Sequence, residues 1–356
     1  MRIRFAARVA VIIVSALLAL SLSQSALLAA TFTPATITDS PAAVLIAQAT
    51  AVPAKKVDYP QKGRMVNVLV PSTAGNSSDI GARFLSALLE KQMGVRFQVT
   101  NKPGAGWQIG TTELIRSKPD GYTIGLINAP TTLITYLDPE RKAVYTRKDF
   151  DPLALIMIET TTIAVKADSP FKTAKDLFDA AKAKPGTLKV GDGGLKTASH
   201  LAALQVAKAA GVDFSFVHFD GGGPAVTAVM GGHLDAAIVG AGNLMTNYKN
   251  GEIRLLAVMD RQESPFFPGI KTLESQGGYK VYFPISYGLA LPAPTPKEIL
   301  DILGKEVEKA MTDPTLKVKM ADMGLEHRYM NAAAFGSYWA ETESQVKPLL
   351  EMAGSK

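Results

Sequence analysis

The run Met65-Val66-Asn67-Val68-Leu69-Val70 is apolar and short, and Pro71 closes it, which is the pattern of a buried strand. A polar loop follows over residues 72–78. From Asp79, a first-turn acid or cap, Ile80, Phe84 and Leu88 recur every four residues, so a helix with one apolar face is expected, stopping at Gly94. Residues 95–100 read as a second strand. Asn101-Lys102-Pro103-Gly104-Ala105-Gly106 is a glycine-rich turn into another helix. Pro119-Asp120-Gly121 is a turn, and residues 122–127 are a third strand. Strands alternating with helices across short loops predict a parallel α/β sheet.

The alternation recurs. Residues 175–184 are helical and closed by Pro185-Gly186, 188–190 are a strand, and a loop over 191–196 leads to a helix from Thr197 to Gly211. Residues 214–219 form a strand, Gly221-Gly222-Gly223-Pro224 turns into a short helix over 226–230, and 236–239 and 255–259 are strands. Long amphipathic helices follow at 297–312 and 332–352. The second block, about residues 166–283, is thus inserted into a chain that later returns to long helices. Such an insertion gives two lobes joined by two crossings, residues 64–165 with 284–356 and residues 166–283, and a cleft between α/β lobes is a common ligand site.

The N-terminus has a different pattern. Arg2, Arg4 and Arg8 precede an apolar run over residues 9–22. At about 1.5 Å per residue that run spans about 21 Å, short of a bilayer core of about 30 Å. Residues 1–30 are therefore expected to be a secretory signal peptide, cleaved near Ser23-Gln24-Ser25 or as late as Ala47-Gln48-Ala49, with residues 31–63 a flexible segment.

Composition narrows the chemistry. Of 356 residues, 47% are hydrophobic and 20% charged, enough for a large core. The absence of cysteine excludes disulfides, thiolate metal sites and a cysteine nucleophile, and four histidines make a histidine-rich metal site unexpected. The formal charge is +6, part of it in the leader. No arginine cluster or aromatic–basic interleaving points to nucleic acid, and mild positive charge suits an anionic small molecule.

Two loops carry the candidate site. Residues 72–79 lie between a strand and a helix, where free N–H groups and the positive end of the helix dipole attract an anion; Ser72, Thr73, Ser77 and Ser78 add hydroxyls. The loop from Gly191 to His200 repeats that design, with Gly193 for close approach, Lys196 for charge, and Thr197 and Ser199 as donors. It is not a phosphate-binding loop, because Leu195 stands where a glycine is needed before the lysine. Gly104, Gly106 and Gly110 miss the dinucleotide spacing, and Asp120 sits in a turn. Ser199 and His200 are adjacent on a helix and do not face each other, which argues against a nucleophile pair. Trp107 can line the cleft, and Asn128 and Tyr287 lie at crossing points. No catalytic residue, metal or cofactor is expected.

The ordered series Val70-Pro71, Gly75, Asp79, Ala82-Arg83, Asn101 to Gly106, Pro119 to Thr123, Ser199-His200-Leu201-Ala202, Gly221-Gly222, Gly231 to Asp235, Gly251 to Arg254 and Pro292 to Pro296 resembles the substrate-binding receptors of tripartite tricarboxylate transporters, the Bug-type or TctC family. The resemblance spans about residues 64–352. It implies an α/β, two-lobed periplasmic binding protein of type II fold, each lobe a mainly parallel sheet flanked by helices. It also implies a monomer that captures a small organic acid between the lobes and passes it to transporter membrane subunits. The carboxylate site carries over onto Ser72, Thr73, Ala74, Gly75, Asn76, Ser77 and Asp79, and onto Gly193, Lys196, Thr197, Ala198, Ser199 and His200. Departures surround that site. Ser72, Ala74 and Asn76 replace the family's Phe, Pro and Gly, Leu195 replaces a glycine, Phe219-Asp220 replaces Tyr-Lys, and Trp107 replaces a glycine. A di- or tricarboxylate is the family expectation, and the hydroxyl-rich loop with Trp107 suits an aromatic or bulkier acid. The alternatives are a ligand-dependent extracytoplasmic sensor partner and a secreted serine hydrolase, the latter lacking a Gly-x-Ser-x-Gly elbow.

Overall fold

A computed structural model describes residues 57–354. The expected signal peptide and its two expected cleavage sites lie outside the described residues. Strands β1 (Val66–Val70), β2 (Phe97–Asn101) and β3 (Thr123–Ala129) pair in parallel around β1. Helices α1 (Ser77–Met93), α2 (Gln108–Arg116) and α3 (Thr131–Leu137) occupy the connections. The later block repeats the unit: β5 (Lys189–Asp192) pairs in parallel with β6 (Ser215–His218) and β7 (Ala236–Gly240), and α5 (Ala198–Ala210) and α6 (Gly222–Met230) lie between them.

The 17-residue β4 (Phe150–Lys166) belongs to both strand sets. Its first part, from Phe150 to Thr160, pairs antiparallel with β9 (Pro284–Pro292), which also pairs antiparallel with β3. From Thr161 to Lys166 it pairs antiparallel with β7 and with β8 (Ile253–Val258). The pairing partner changes between Thr160 and Thr161, so one continuous strand ties the two halves together. The last strand, β10 (Glu326–Asn331), lies antiparallel on the first part of β4, and α11 (Ala332–Gly354) follows it. Among the described residues no helix is long and apolar enough to cross a membrane.

The cap of α1 is Asn76, whose side chain accepts the Asp79 N–H, while Asp79 is the first-turn acid; Gly94, at φ 66°, ends the helix. The buried stripe of α1 is Ala82, Leu85 and Leu89, with Ile80, Phe84 and Leu88 half-buried beside it. The apolar face is therefore turned by one residue from the i, i+4 expectation, because the helix packs against the sheet with its Ala82–Leu85–Leu89 side. Each leucine so buried contributes roughly 2 kcal/mol of apolar transfer free energy.

Candidate functional site

Five helices start at one small cavity of about 50 Å³. Asn76 and Ser78 come from the start of α1, Trp107 from the cap of α2, and Thr131 from α3. Across from them stand Thr197, Ala198 and Ser199 at the start of α5, and Gly221 and Gly222 at the start of α6. Gly193, Asn128, Asn243, Ile285 and Tyr287 complete much of the wall. First-turn N–H groups have no partner within their own helix, and each helix start carries roughly half a positive charge. Among the described residues, no Asp, Glu, Lys, Arg or His side chain lines this cavity. The lining itself offers negative charge neutral hydroxyl, amide and N–H donors and the helix dipoles.

The two expected loops are brought together, but their residues divide. Asn76, Trp107, Asn128, Gly193, Thr197, Ala198 and Ser199 line the cavity. Ser72 lines a neighbouring 20 Å³ space with Trp107 and Gly193. Thr73 reaches across to donate to the Asp220 carbonyl at 3.4 Å, while Ala74 and Gly75 are exposed at the loop tip. Ser77 points away from the cavity and donates to Glu159 at 2.8 Å. Asp79 braces the loop: it accepts from the Gly75 N–H at 2.8 Å, from Asn101 at 3.0 Å and from Arg83 at 3.0 Å. Burial works to raise its pKa, but those donors outweigh burial and hold it below the usual carboxylate value.

The second loop is equally self-bonded. Ser199 Oγ accepts the Gly193 N–H at 2.8 Å, and Thr197 Oγ1 donates to the Gly194 carbonyl at 2.7 Å. The Ala198 N–H donates across the cleft to Thr131 Oγ1 at 3.0 Å. Lys196 lies at φ 52° and turns its ammonium outward to Asp138 and Glu140, beside an outer cavity of about 470 Å³. His200 sits behind the loop, 6% exposed, and its Nδ1 accepts the Lys196 N–H at 2.9 Å.

His200, His218 and Asp192 bring ligand-type atoms within 4.8 Å of one another. The bond from Lys196 leaves the proton of a neutral His200 ring on Nε2, so that nitrogen donates rather than ligates. His218 Nδ1 lies 2.9 Å from Asp192 Oδ2, and this bond raises the imidazole pKa above its ordinary 6.5 against the effect of burial. A folded-state pKa above the unfolded one gives stability that is full below about pH 6.5 and fades as pH rises through the raised value. His218→Gln is expected to flatten the fall in thermal midpoint as pH rises above about 6.5. An unchanged slope in differential scanning calorimetry would count against the pair.

Beneath the cavity is a group the sequence reading did not select. Glu159 is 1% exposed on β4, next to the change of pairing partner. Its carboxyl accepts from Ser77 Oγ at 2.8 Å, from the Gly242 N–H at 2.9 Å and from the Tyr287 hydroxyl. Burial pushes its pKa up, opposed by these three donors. Burial likewise pushes the Tyr287 hydroxyl well up, so it stays protonated and donates. A Cβ on Gly240 would stand 2.3 Å from the Glu159 carboxyl, so only glycine fits the end of β7. The signal for Glu159 was a lone acid inside an otherwise uncharged stretch over residues 152–165. Asn243 and Thr131 have no comparable local mark.

The receptor of the tripartite tricarboxylate transporter family is the family description that matches, over residues 82–354. A UPF0065 protein in the gbd 5′ region of Cupriavidus necator is 30% identical over 301 residues, covering 83% of this chain and 89% of that one. The periplasmic binding protein BugD superposes with a TM-score of 0.77 at 28% identity, over 83% of this chain and 99% of that one. A protein of R. palustris solved with adipate shares the fold, with a TM-score of 0.78 at 23% identity, over 83% of this chain and 99% of that one.

Proposed function

The chain belongs to the tripartite tricarboxylate transporter receptor family, and from that premise we propose that it captures a small organic carboxylate between its lobes in the periplasm and delivers it to transporter membrane subunits. Its family and its structural neighbours are solute-binding proteins and not enzymes. The N-terminal leader supplies export, and the lobes comprise residues 64–165 with 284–356 and residues 166–283.

One observation carries the ligand class: five helix starts meet at a cavity whose described lining has no ionisable side chain other than Tyr287. A carboxylate is stabilised by such N–H groups and dipoles, each charge-assisted hydrogen bond contributing about 1.5–3 kcal/mol. A neutral or cationic solute loses that term. The volume of about 50 Å³ holds a few waters, since one water needs about 10–15 Å³. That favours a compact aliphatic acid over an aromatic one, which would have to displace the Trp107 wall. The adipate carried by the R. palustris neighbour is an acid of the same class. Because the ligand touches both lobes, it favours the closed state by differential affinity.

The test is a thermal-shift panel on protein unfolded and refolded to remove carried-over ligand. Aliphatic mono-, di- and tricarboxylates are set beside their amides, sugars and phosphates. An acid at 100 times its Kd stabilises by about 2.7 kcal/mol. A shift with one acid group and none with the matching amides is expected. Shifts by sugars or amides alone would overturn the reading.

A further inference from the structure

We propose that Lys196 and Arg141 form a latch across the mouth of the cleft, which holds the lobes closed without touching the ligand and does so before ligand arrives. This rests on the two-lobed receptor reading above. Lys196 belongs to the loop between β5 and α5; Asp138, Glu140 and Arg141 belong to the segment between α3 and β4, on the opposite side of the cleft. The contacts run both ways. Lys196 Nζ donates to Asp138 Oδ2 at 2.9 Å and to Glu140 Oε2 at 2.6 Å. Arg141 Nη2 donates to the Leu195 carbonyl at 2.6 Å and to the Lys196 carbonyl at 3.3 Å, while its Nη1 donates to the Ala105 carbonyl at 2.8 Å. Gln108 fixes the Arg141 backbone by donating to its carbonyl at 2.9 Å.

Burial decides which of these matter. Glu140 is 76% exposed, so its pair with Lys196 adds little. The side chains of Lys196 and Asp138 are 13% and 6% exposed, so that pair is poorly screened by salt, and breaking it leaves the carboxylate with only the Glu140 N–H at 3.1 Å and Arg141 Nε at 4.0 Å. All four residues line or border the outer cavity, and none lines the inner one. The Lys196 charge is thus committed to Asp138 and is not offered to the ligand. The bonds are direct, protein to protein, and none involves a residue of the inner cavity. They are lost when the lobes part, so they bias the closed state equally for every ligand.

The test is small-angle X-ray scattering on refolded, ligand-free protein, with circular dichroism confirming that each variant is folded. Losing the buried pair is expected to lower the closed-to-open ratio about tenfold, the effect of roughly 1.4 kcal/mol. Lys196→Ala and Asp138→Asn should each raise the radius of gyration above wild type. The double variant should be no more open than either single one, and Lys196→Arg should restore the compact form. Equal radii in wild type and Lys196→Ala, or additive opening in the double variant, would overturn the latch. That failure leaves carboxylate binding in the thermal-shift panel untouched, and a failed panel leaves the scattering result untouched.

Discussion

Glu159→Ala is expected to lower stability by about 3–5 kcal/mol, because it strips the partner from three buried donors at once. Ser77 Oγ, the Gly242 N–H and the Tyr287 hydroxyl all converge on that carboxyl, and they come from α1, from the turn after β7, and from β9. Removal therefore loosens the contact between both strand sets and the strand that joins them. The thermal midpoint, followed by circular dichroism, should fall by about 5–8 °C. Glu159→Gln keeps the shape and an acceptor oxygen, so its loss should be less than half as large. A loss below about 1 kcal/mol for the alanine variant would show that water or a neighbour replaces the carboxyl, and that the carboxyl is not needed to join the halves.

Trp107→Ala should weaken binding of the cognate acid by about 30-fold, equivalent to about 2 kcal/mol. Trp107 caps α2 at φ 77°, and its ring lies 6.2 Å from the Tyr287 ring across the cavity wall. Truncation widens the opening of this cavity to solvent, which weakens every dipole acting on the carboxylate there. It also removes apolar contact surface. The backbone strain at φ 77° is the same for alanine as for tryptophan, so folding should be little changed. Isothermal titration calorimetry with the acid selected by thermal shift would measure this. Unchanged affinity would mean that the indole is core packing rather than a wall of the binding space.

Local pattern made the repeated strand–loop–helix units legible. Pro71 and Gly94 mark the ends of β1 and α1, and Gly211, at φ 63°, ends α5. Two of the joining elements were not legible. The 17 residues of β4 mix Pro152, a run of threonines and the buried Glu159, because one end faces one strand set and the other end another. That double environment erases the simple alternation of a half-buried strand. β10, Glu-His-Arg-Tyr-Met-Asn, is polar along its length because it lies at a sheet edge. The candidate site shows the same division. Glycine, serine and threonine before a helix identified the two main loops, since capping chemistry is local. Lys196 was grouped with them by charge, but its partners lie 56 and 58 residues earlier in the chain, a pairing no local window contains. Gly221 and Gly222 were read as a helix start, and only the fold brings that start to the same cavity as Asn76 and Thr197.

A carboxylate held at this cavity should rest on neutral donors at converging helix starts, away from any lysine or arginine. A crystal structure of the refolded protein with the acid that gives the largest thermal shift tests this most directly. Carboxylate oxygens are expected within hydrogen-bond distance of first-turn N–H groups of α5 or α6 and of a side-chain donor at the start of α1, with Lys196 still on Asp138. An acid bound instead in the outer cavity, paired with Lys196 or Arg141, would contradict it.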